Sequence, residues 1–364
     1  MIVCVTGSEG FIGSNLVSRL KTFGFLEVKC INRRSSNSDL KDAIVSADLI
    51  FHLAGVNRSK DNEEFAASNI KFTEKICNLI QSSSKTQSII YTSSIKVSGN
   101  DIYAISKKTA EDLVYSLEKN IHKKVDIYRL PGVFGKGCKP NYNSVVATWC
   151  FNSAHNIPCQ INDHDREITL LYIDDLIDEF VDKFVLRKKN INGLEQQFYC
   201  LTLGDLHSKI NEVARKDLFV IKDLADSEFL KKLRSTYLYY LENQDWIMNL
   251  KPHRNNTGTF VEALKIDHLG QLSFLTIEPK SQRGDHYHNT KVEKFWLLFG
   301  TIDVKLENIL NGEIHSSRIS ADEYSQFEIP PGWRHTIVNI GQEKAILAIW
   351  ANEIYSEKKP DTYR

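Results

Sequence analysis

Residues 2 to 13 constrain the fold more than any other stretch. The apolar run Ile2-Val3-Cys4-Val5 gives way to Thr6-Gly7-Ser8-Glu9-Gly10-Phe11-Ile12-Gly13, and an apolar-periodic segment continues to about Phe23. This order predicts a strand, a tight glycine turn and a helix. The glycines let the backbone turn sharply and let a pyrophosphate approach the helix N-terminus, where unpaired N–H groups and the helix dipole favour anions. Three glycines elsewhere would be an ordinary loop. Between a strand and a helix they predict a doubly wound parallel sheet of the Rossmann type, an α/β fold. Gly7, Gly10, Phe11, Ile12 and Gly13 are thus the first candidate cofactor residues.

A second strand over Glu27 to Ile31 leads into Asn32-Arg33-Arg34, where an enzyme that prefers NAD carries an acid for the ribose. Arg33 and Arg34 instead suit a 2′-phosphate, or form a solvated charge pair at a strand end. One short helix fits between Ser35 and Ala47. Asp48 to Ala54 reads as a buried strand ending in His52-Leu53-Ala54-Gly55, where glycine admits the cofactor, and a helix from about Glu63 carries Asn69. Ser88 to Ser94 brings Ser94 to the carboxyl edge of the sheet, the edge at which open α/β sheets bind ligands. Tyr103-Ala-Ile-Ser-Lys107 then opens a helix to about Lys119. Its phenol and ammonium lie one turn apart, about 5–6 Å between Cβ atoms. An ammonium stabilises a phenolate, so the pair can exchange a proton with a carbonyl or alcohol oxygen, although amphipathic helices also carry this spacing by accident.

Thr6-Gly7-x-x-Gly10-x-x-Gly13, His52-Leu-Ala-Gly55, Ser94 and Tyr103-x-x-x-Lys107, in that order, resemble an extended short-chain dehydrogenase/reductase acting on nucleotide sugars. The resemblance implies that Ser94 polarises the substrate oxygen and Tyr103 transfers the proton. Lys107 would hold the nicotinamide ribose and lower the tyrosine pKa, with Asn69 a supporting polar group. The segment before His52 is shortened, as in reductases resembling 4-dehydrorhamnose reductase, which favours net reduction over internal redox cycling. Val125 to Leu130 is another strand, and Gly132-Val-Phe-Gly135 stands where such enzymes have an asparagine-containing turn. The run Lys136 to Ser144, with Lys139 and Asn143, and Arg166 ahead of Tyr172 are candidates to hold a uridine diphosphate, or are surface polar groups. Leu203-Gly-Asp-Leu206 opens a helix of a small substrate-side subdomain. Lys209 to Asn243 reads as helical, with Tyr237, Tyr239 and Tyr240 as packing residues.

Around Asp245 the pattern changes. From Thr259 onward short alternating apolar runs with frequent turn signals predict a separate all-β domain, dividing the chain into residues 1–244 and 245–364. This part contains Gly284-Asp-His286-Tyr-His288-x-x-x-x-Glu293 and Pro330-Pro-Gly332-Trp-Arg-His335. His286 and His288 alternate on a strand and point to one face. With Glu293 and His335 they form a nitrogen and oxygen set for one divalent metal ion, zinc first, whereas a lone histidine is usually structural.

Both spacings resemble the cupin family, a jelly-roll barrel. The order of reductase then cupin resembles the bifunctional capsular polysaccharide and O-antigen enzymes of the CapF and WbjC type. That likeness implies a cupin that epimerises carbon 3 of a UDP-linked 4-keto amino sugar and a reductase that reduces carbon 4 with NADPH, giving UDP-2-acetamido-2,6-dideoxy-L-talose. Lys291, Lys294, Glu262 and Tyr287 all remain candidates for the cupin base. One rival is an epimerase or dehydratase that retains NAD and returns the hydride. In another the cupin is non-catalytic, binding sugar or holding a dimer.

Charge enters as an exclusion. Lys and Arg number 46 and Asp and Glu also 46, so the composition carries no footprint for nucleic acid or an anionic membrane, and phosphates must be met locally. No apolar span is long enough to predict membrane insertion. The seven cysteines run from Cys4 to Cys200, an odd number absent from the second part, which predicts reduced thiols in a cytoplasmic protein. A homodimer is expected.

Overall fold

The computed structural model describes residues 1–59, 61–121, 123–188, 194–214, 227–247, 249–266, 269–358 and 360–364. They group into two compact units, one of Met1–Ala214 with Phe229–Glu242 and one containing Asn243–Arg364.

The first unit begins β1 (Ile2–Thr6), α1 (Phe11–Leu20), β2 (Glu27–Ile31), α2 (Asn37–Ser46), β3 (Leu49–His52), α3 (Asn62–Phe65), α4 (Phe72–Ser82), β4 (Ser88–Ser94), α5 (Ile102–Ile121) and β5 (Lys124–Leu130). The strands form one parallel sheet in the order β2-β1-β3-β4-β5. Side chains alternate across a strand, so a sheet covered on both faces needs continuous apolar runs. Val3 and Val5 of β1 accordingly pack with Leu16 and Leu20 of α1, while Cys4 between them packs with Ile44 of α2, Ile76 of α4 and Val114 of α5. This is the doubly wound arrangement, and it puts the ends of β1, β3 and β4 along one edge. A single helix, α2, spans the shortened segment and is closed at its start by a Ser36–Asp39 capping box.

The chain continues through β6 (Gly132–Phe134), α6 (Val145–Ala154), β7 (Glu167–Tyr172), α7 (Ile173–Phe180), β8 (Tyr199–Thr202), α8 (Leu203–Val213) and α9 (Glu228–Tyr239). Two expectations are corrected here. Residues 132–134, read as a turn, form β6 and pair in parallel with β7, because Phe134 is fully buried among the rings of Tyr172, Tyr199 and Phe229. Lys209 to Asn243 is not one helix: α8 ends at Val213, α9 starts at Glu228, and residues 215–226 lie outside the described residues. Tyr237 and Tyr240 are buried as expected, whereas Tyr239 is exposed.

The second unit is antiparallel throughout, with β9 (Pro252–Asn255), β10 (Gly258–Ile266), β11 (Gly270–Ile277), β12 (Gln282–His286), β13 (Glu293–Phe299), β14 (Thr301–Asn308), β15 (Ile314–Ser320), β16 (Gln326–Ile329), β17 (Trp333–Asn339) and β18 (Ala345–Ala351). One sheet runs β16-β13-β18-β11-β10-β9 and the other β12-β17-β14-β15. Both contribute to a shared core, Leu275, Phe295 and Leu347 from the first and Ile302, Val304 and Ile337 from the second. Two sheets around one core make the jelly-roll sandwich of a cupin. Among the described residues no helix is long and apolar enough to cross a membrane.

Candidate functional site

The glycine turn joins β1 to α1 as a backbone-lined cradle. Gly7 takes φ +68°, open to glycine at little cost, and a Cβ on Gly13 would stand 2.1 Å from the Gly7 carbonyl oxygen. A Cβ on Gly7 would strike the Ala54 backbone at 2.8 Å, so glycine at both positions lets the turn pack tightly against α1 and the loop after β3, leaving the helix N-terminus to face an anion such as a pyrophosphate.

The facing loop, Leu53 to Val56, is held from below by His52. This ring is fully buried between Thr6 Oγ1 at 2.8 Å and Thr73 Oγ1 at 2.9 Å. Thr73 spends its hydroxyl proton on the Asn69 carbonyl, so it accepts from His52 Nε2–H, and His52 Nδ1 accepts from Thr6. Burial, helped by the nearby Lys107 charge, pulls the His52 pKa down to about 3 and keeps it neutral. Asn69 closes the other end of the loop. Its amide oxygen accepts from Val56 N–H at 2.8 Å, and its nitrogen donates to the Val56 carbonyl at 3.0 Å and to Ser106 Oγ at 2.9 Å. Buried and so partnered, Asn69 positions Leu53, Ala54 and Gly55.

At the end of β4 stands Ser94, buried, with its hydroxyl close enough to that of Tyr103, in the first turn of α5, to act on its pKa. Lys107 lies one turn further, but its ammonium donates to the Thr92 carbonyl at 2.9 Å and the Tyr91 hydroxyl at 3.3 Å. The expected lowering of the Tyr103 pKa by Lys107 is therefore not the arrangement seen. Burial raises the Tyr103 pKa, with the Ser94 hydroxyl only partly offsetting it, so the phenol stays protonated at neutral pH. Burial also brings Lys107 down to about 8, opposed by the negative charge of Glu111. Glu111 is buried, four residues along α5, and is clamped by Arg129 through bonds of 3.0 and 2.8 Å. Its helical spacing from Lys107 was a signal available in the sequence; the partnership of Lys107 with Thr92 was not.

Arg33 and Arg34 are both exposed at the end of β2 and both paired. Arg34 meets Glu9 of the glycine turn, Asn32 donates to the same carboxylate at 2.9 Å, and Arg33 is 3.5 Å from Glu64. The arginines at the end of β2 are thus held by acids of the glycine turn and of α3. Lys139, Asn143 and Arg166 are exposed. Lys139 sits over the Tyr142 ring at 5.9 Å, and the Tyr142 hydroxyl donates to the Arg58 carbonyl at 3.2 Å, tying this run to the loop after Val56. No hydrogen bond joins Arg166 to Lys139 or Asn143 among the described residues.

In the second unit His286 and His335 are partners across β12 and β17, and Glu293 opens β13. With His288 they bring four ligand atoms within 4.8 Å of one another. His288 Nε2 is buried without a hydrogen-bond partner among the described residues and lies 3.4 Å from Glu293 Oε2; His335 Nε2 is 3.8 Å from the same oxygen. Burial lowers the pKa of His286 and brings His335 to about 3, so both rings are neutral. Burial alone would raise Glu293, but its contact with His288 and the nearby Lys291 ammonium help to outweigh it and hold the carboxyl at about 2. Three imidazoles around a carboxylate, two of them with a buried nitrogen that has no hydrogen-bond partner among the described residues, His288 Nε2 and His335 Nδ1, fit a first-row divalent cation.

Glu293 also lines a cavity of about 430 Å³, with Glu262, Lys265, Gln271, Lys291 and Tyr355 on its walls. Glu262 is held there by Lys265 at 2.9 Å and Gln271 at 3.3 Å. Of the four candidate bases, Glu262 and Lys291 face this space. Lys294 is paired with Glu328 at 2.6 Å, and Tyr287 stacks on Tyr363, so neither lines the cavity.

Residues 3–192 match the NAD dependent epimerase/dehydratase family, and residues 253–363 match the polysaccharide biosynthesis C-terminal domain. Over its whole length the chain is 39% identical to the UDP-2-acetamido-2,6-beta-L-arabino-hexul-4-ose reductase of Pseudomonas aeruginosa, spanning 98% of that protein. The capsular polysaccharide assembling protein CapF from Staphylococcus aureus superposes with a TM-score of 0.92 at 32% identity, covering 100% of this chain and 99% of that one. UDP-glucuronic acid 4-epimerase from Bacillus cereus, in complex with NAD, shares the fold over 66% of this chain and 98% of its own, with a TM-score of 0.55 and 20% identity.

Proposed function

Since the chain belongs to the NAD dependent epimerase/dehydratase family and, over its whole length, to the two-domain CapF type, we propose that it is a bifunctional enzyme of polysaccharide precursor synthesis. Its substrate is a UDP-linked 4-keto amino sugar, UDP-2-acetamido-2,6-dideoxy-4-keto-hexose. The cupin, within residues 245–364, epimerises carbon 3, and the reductase, within residues 1–244, then reduces carbon 4 to give UDP-2-acetamido-2,6-dideoxy-L-talose. The observation that carries this reading is two separate constellations in one chain: Ser94 with Tyr103, and a His/Glu cluster beside a cavity with its own carboxylate and ammonium.

When bound, NADPH supplies the hydride for carbon 4, and a divalent ion in the cupin, zinc first, supplies positive charge beside the sugar. Tyr103, protonated at neutral pH, gives its proton to the carbon 4 oxygen, while Ser94 holds that oxygen in reach. Lys107 carries the nicotinamide ribose. Arg33 and Arg34 receive the 2′-phosphate, for which Glu9 must release Arg34. Lys139, Asn143 and Arg166 hold the diphosphate. In the cupin the 4-ketone acidifies the carbon 3 proton, which Glu262 and Lys291 take and return. The enzyme works as a cytoplasmic homodimer with unpaired cysteines.

The test is product analysis by NMR in deuterium oxide with the 4-keto UDP-sugar and NADPH. Tyr103→Phe is expected to lose roughly 10²–10⁴-fold in NADPH oxidation while still washing deuterium into carbon 3. His288→Ala is expected to lose the exchange yet reduce a substrate already epimerised. Exchange unaffected by His288→Ala, or abolished by Tyr103→Phe in a folded protein, would assign epimerisation to the reductase site and leave the cupin as a support.

A further inference from the structure

We infer that Asp361, in the tail beyond β18, is a positioning residue of the cupin metal centre, setting both the ring of His288 and the turn that follows it. The inference rests on reading His286, His288, Glu293 and His335 as a divalent-ion site. An imidazole ligand offers one ring nitrogen with a free lone pair, and the hydrogen bond at the other nitrogen decides which. The Asp361 carbonyl oxygen lies 2.5 Å from His288 Nδ1. A carbonyl only accepts, so Nδ1 carries the proton and the lone pair stays on Nε2, the buried orphan that faces Glu293.

The carboxylate of the same residue accepts from the N–H groups of Asn289 at 3.1 Å, Thr290 at 2.9 Å and Lys291 at 2.9 Å, and from the Thr290 hydroxyl at 3.1 Å. Successive backbone N–H groups converging on one anion form a nest. Here the nest belongs to the turn between the ligands His288 and Glu293, and it fixes the position of Lys291 at the cavity wall. Tyr363, two residues on, exchanges both backbone hydrogen bonds with Tyr287, at 2.9 and 3.0 Å, and stacks its ring on that side chain. His286 and His335 are set by the pairing of β12 with β17, whereas His288 depends on this added segment.

Zinc affinity of the full chain, measured by competition with a chromophoric chelator beside the Tm of the metal-free protein, tests the inference. Asp361→Ala keeps the backbone carbonyl but removes the carboxylate that anchors it through the nest of residues 289–291. With that anchor gone it is expected to weaken zinc binding about 10–100-fold, the range for losing a group that orients a ligand, with the metal-free Tm little changed. Asp361→Asn keeps one accepting oxygen and is expected to fall between Ala and wild type. Zinc affinity of Asp361→Ala within about twofold of wild type overturns the inference. Should that variant fail to fold, Asp361→Asn carries the test, and unchanged affinity overturns it equally. His288→Ala separates the two readings. If it binds zinc as tightly as wild type, the ion site is wrong and the role of Asp361 falls with it; if it loses zinc while Asp361→Ala does not, only the role of Asp361 is wrong.

Discussion

On the proposed function, Lys107 sets the pH dependence of the reductase. Its ammonium is buried against the Thr92 carbonyl, and burial brings its pKa from the usual lysine range to about 8. As pH rises through that value the ammonium is lost, while Tyr103, raised by burial, keeps its proton. The kcat/KM for reduction is therefore expected to fall along a one-proton limb above about pH 8, because this parameter reports the free enzyme. A profile flat to about pH 9.5 would exclude Lys107 as the controlling group. Tyr103, Lys107 and the four residues of the His/Glu cluster could be picked out in the sequence because such residue types recur at short fixed spacings. Glu9 against Arg34 and Asp361 against His288 were not, since nothing local in the sequence marks such a pairing.

The segment between α3 and α4 shows what an element adds to its residues. The sequence reads as one helix from about Glu63, but Ala66–Lys71 is π-helical. The wider turn places the Asn69 side chain on both polar groups of Val56, which no periodicity reports because the demand comes from a loop packed alongside. Asn69→Ala would leave the Val56 N–H and C=O buried and unpaired. It is expected to cost about 1–3 kcal/mol in urea unfolding and to weaken cofactor binding with it. Unchanged stability would mean that water replaces the amide. β6 escaped the sequence reading for a related reason: glycine at both ends signals a turn, and only the buried environment of Phe134 makes it a strand.

For the whole molecule, the two-domain division was legible because the hydrophobic pattern changes from mixed strand and helix periods to short alternating runs. The order of strands in each sheet was not, since it depends on pairings between residues far apart in the chain. In the cupin this has a kinetic meaning. β18 pairs β11 from Gln271↔Ala351 to Ile277↔Ala345 and pairs β13 along its other edge, so the tenth strand to be made lies in the middle of its sheet. Until β18 arrives, β11 and β13 each present an open, apolar edge, and neither half-sheet has its partner. The amides of β11, β13 and β18 are expected to gain protection together in pulsed hydrogen-exchange refolding, and early protection of β13 alone would contradict this. A chain arrested before β18 would carry two sticky edges at once, which makes this strand the point at which folding of the cupin competes with self-association.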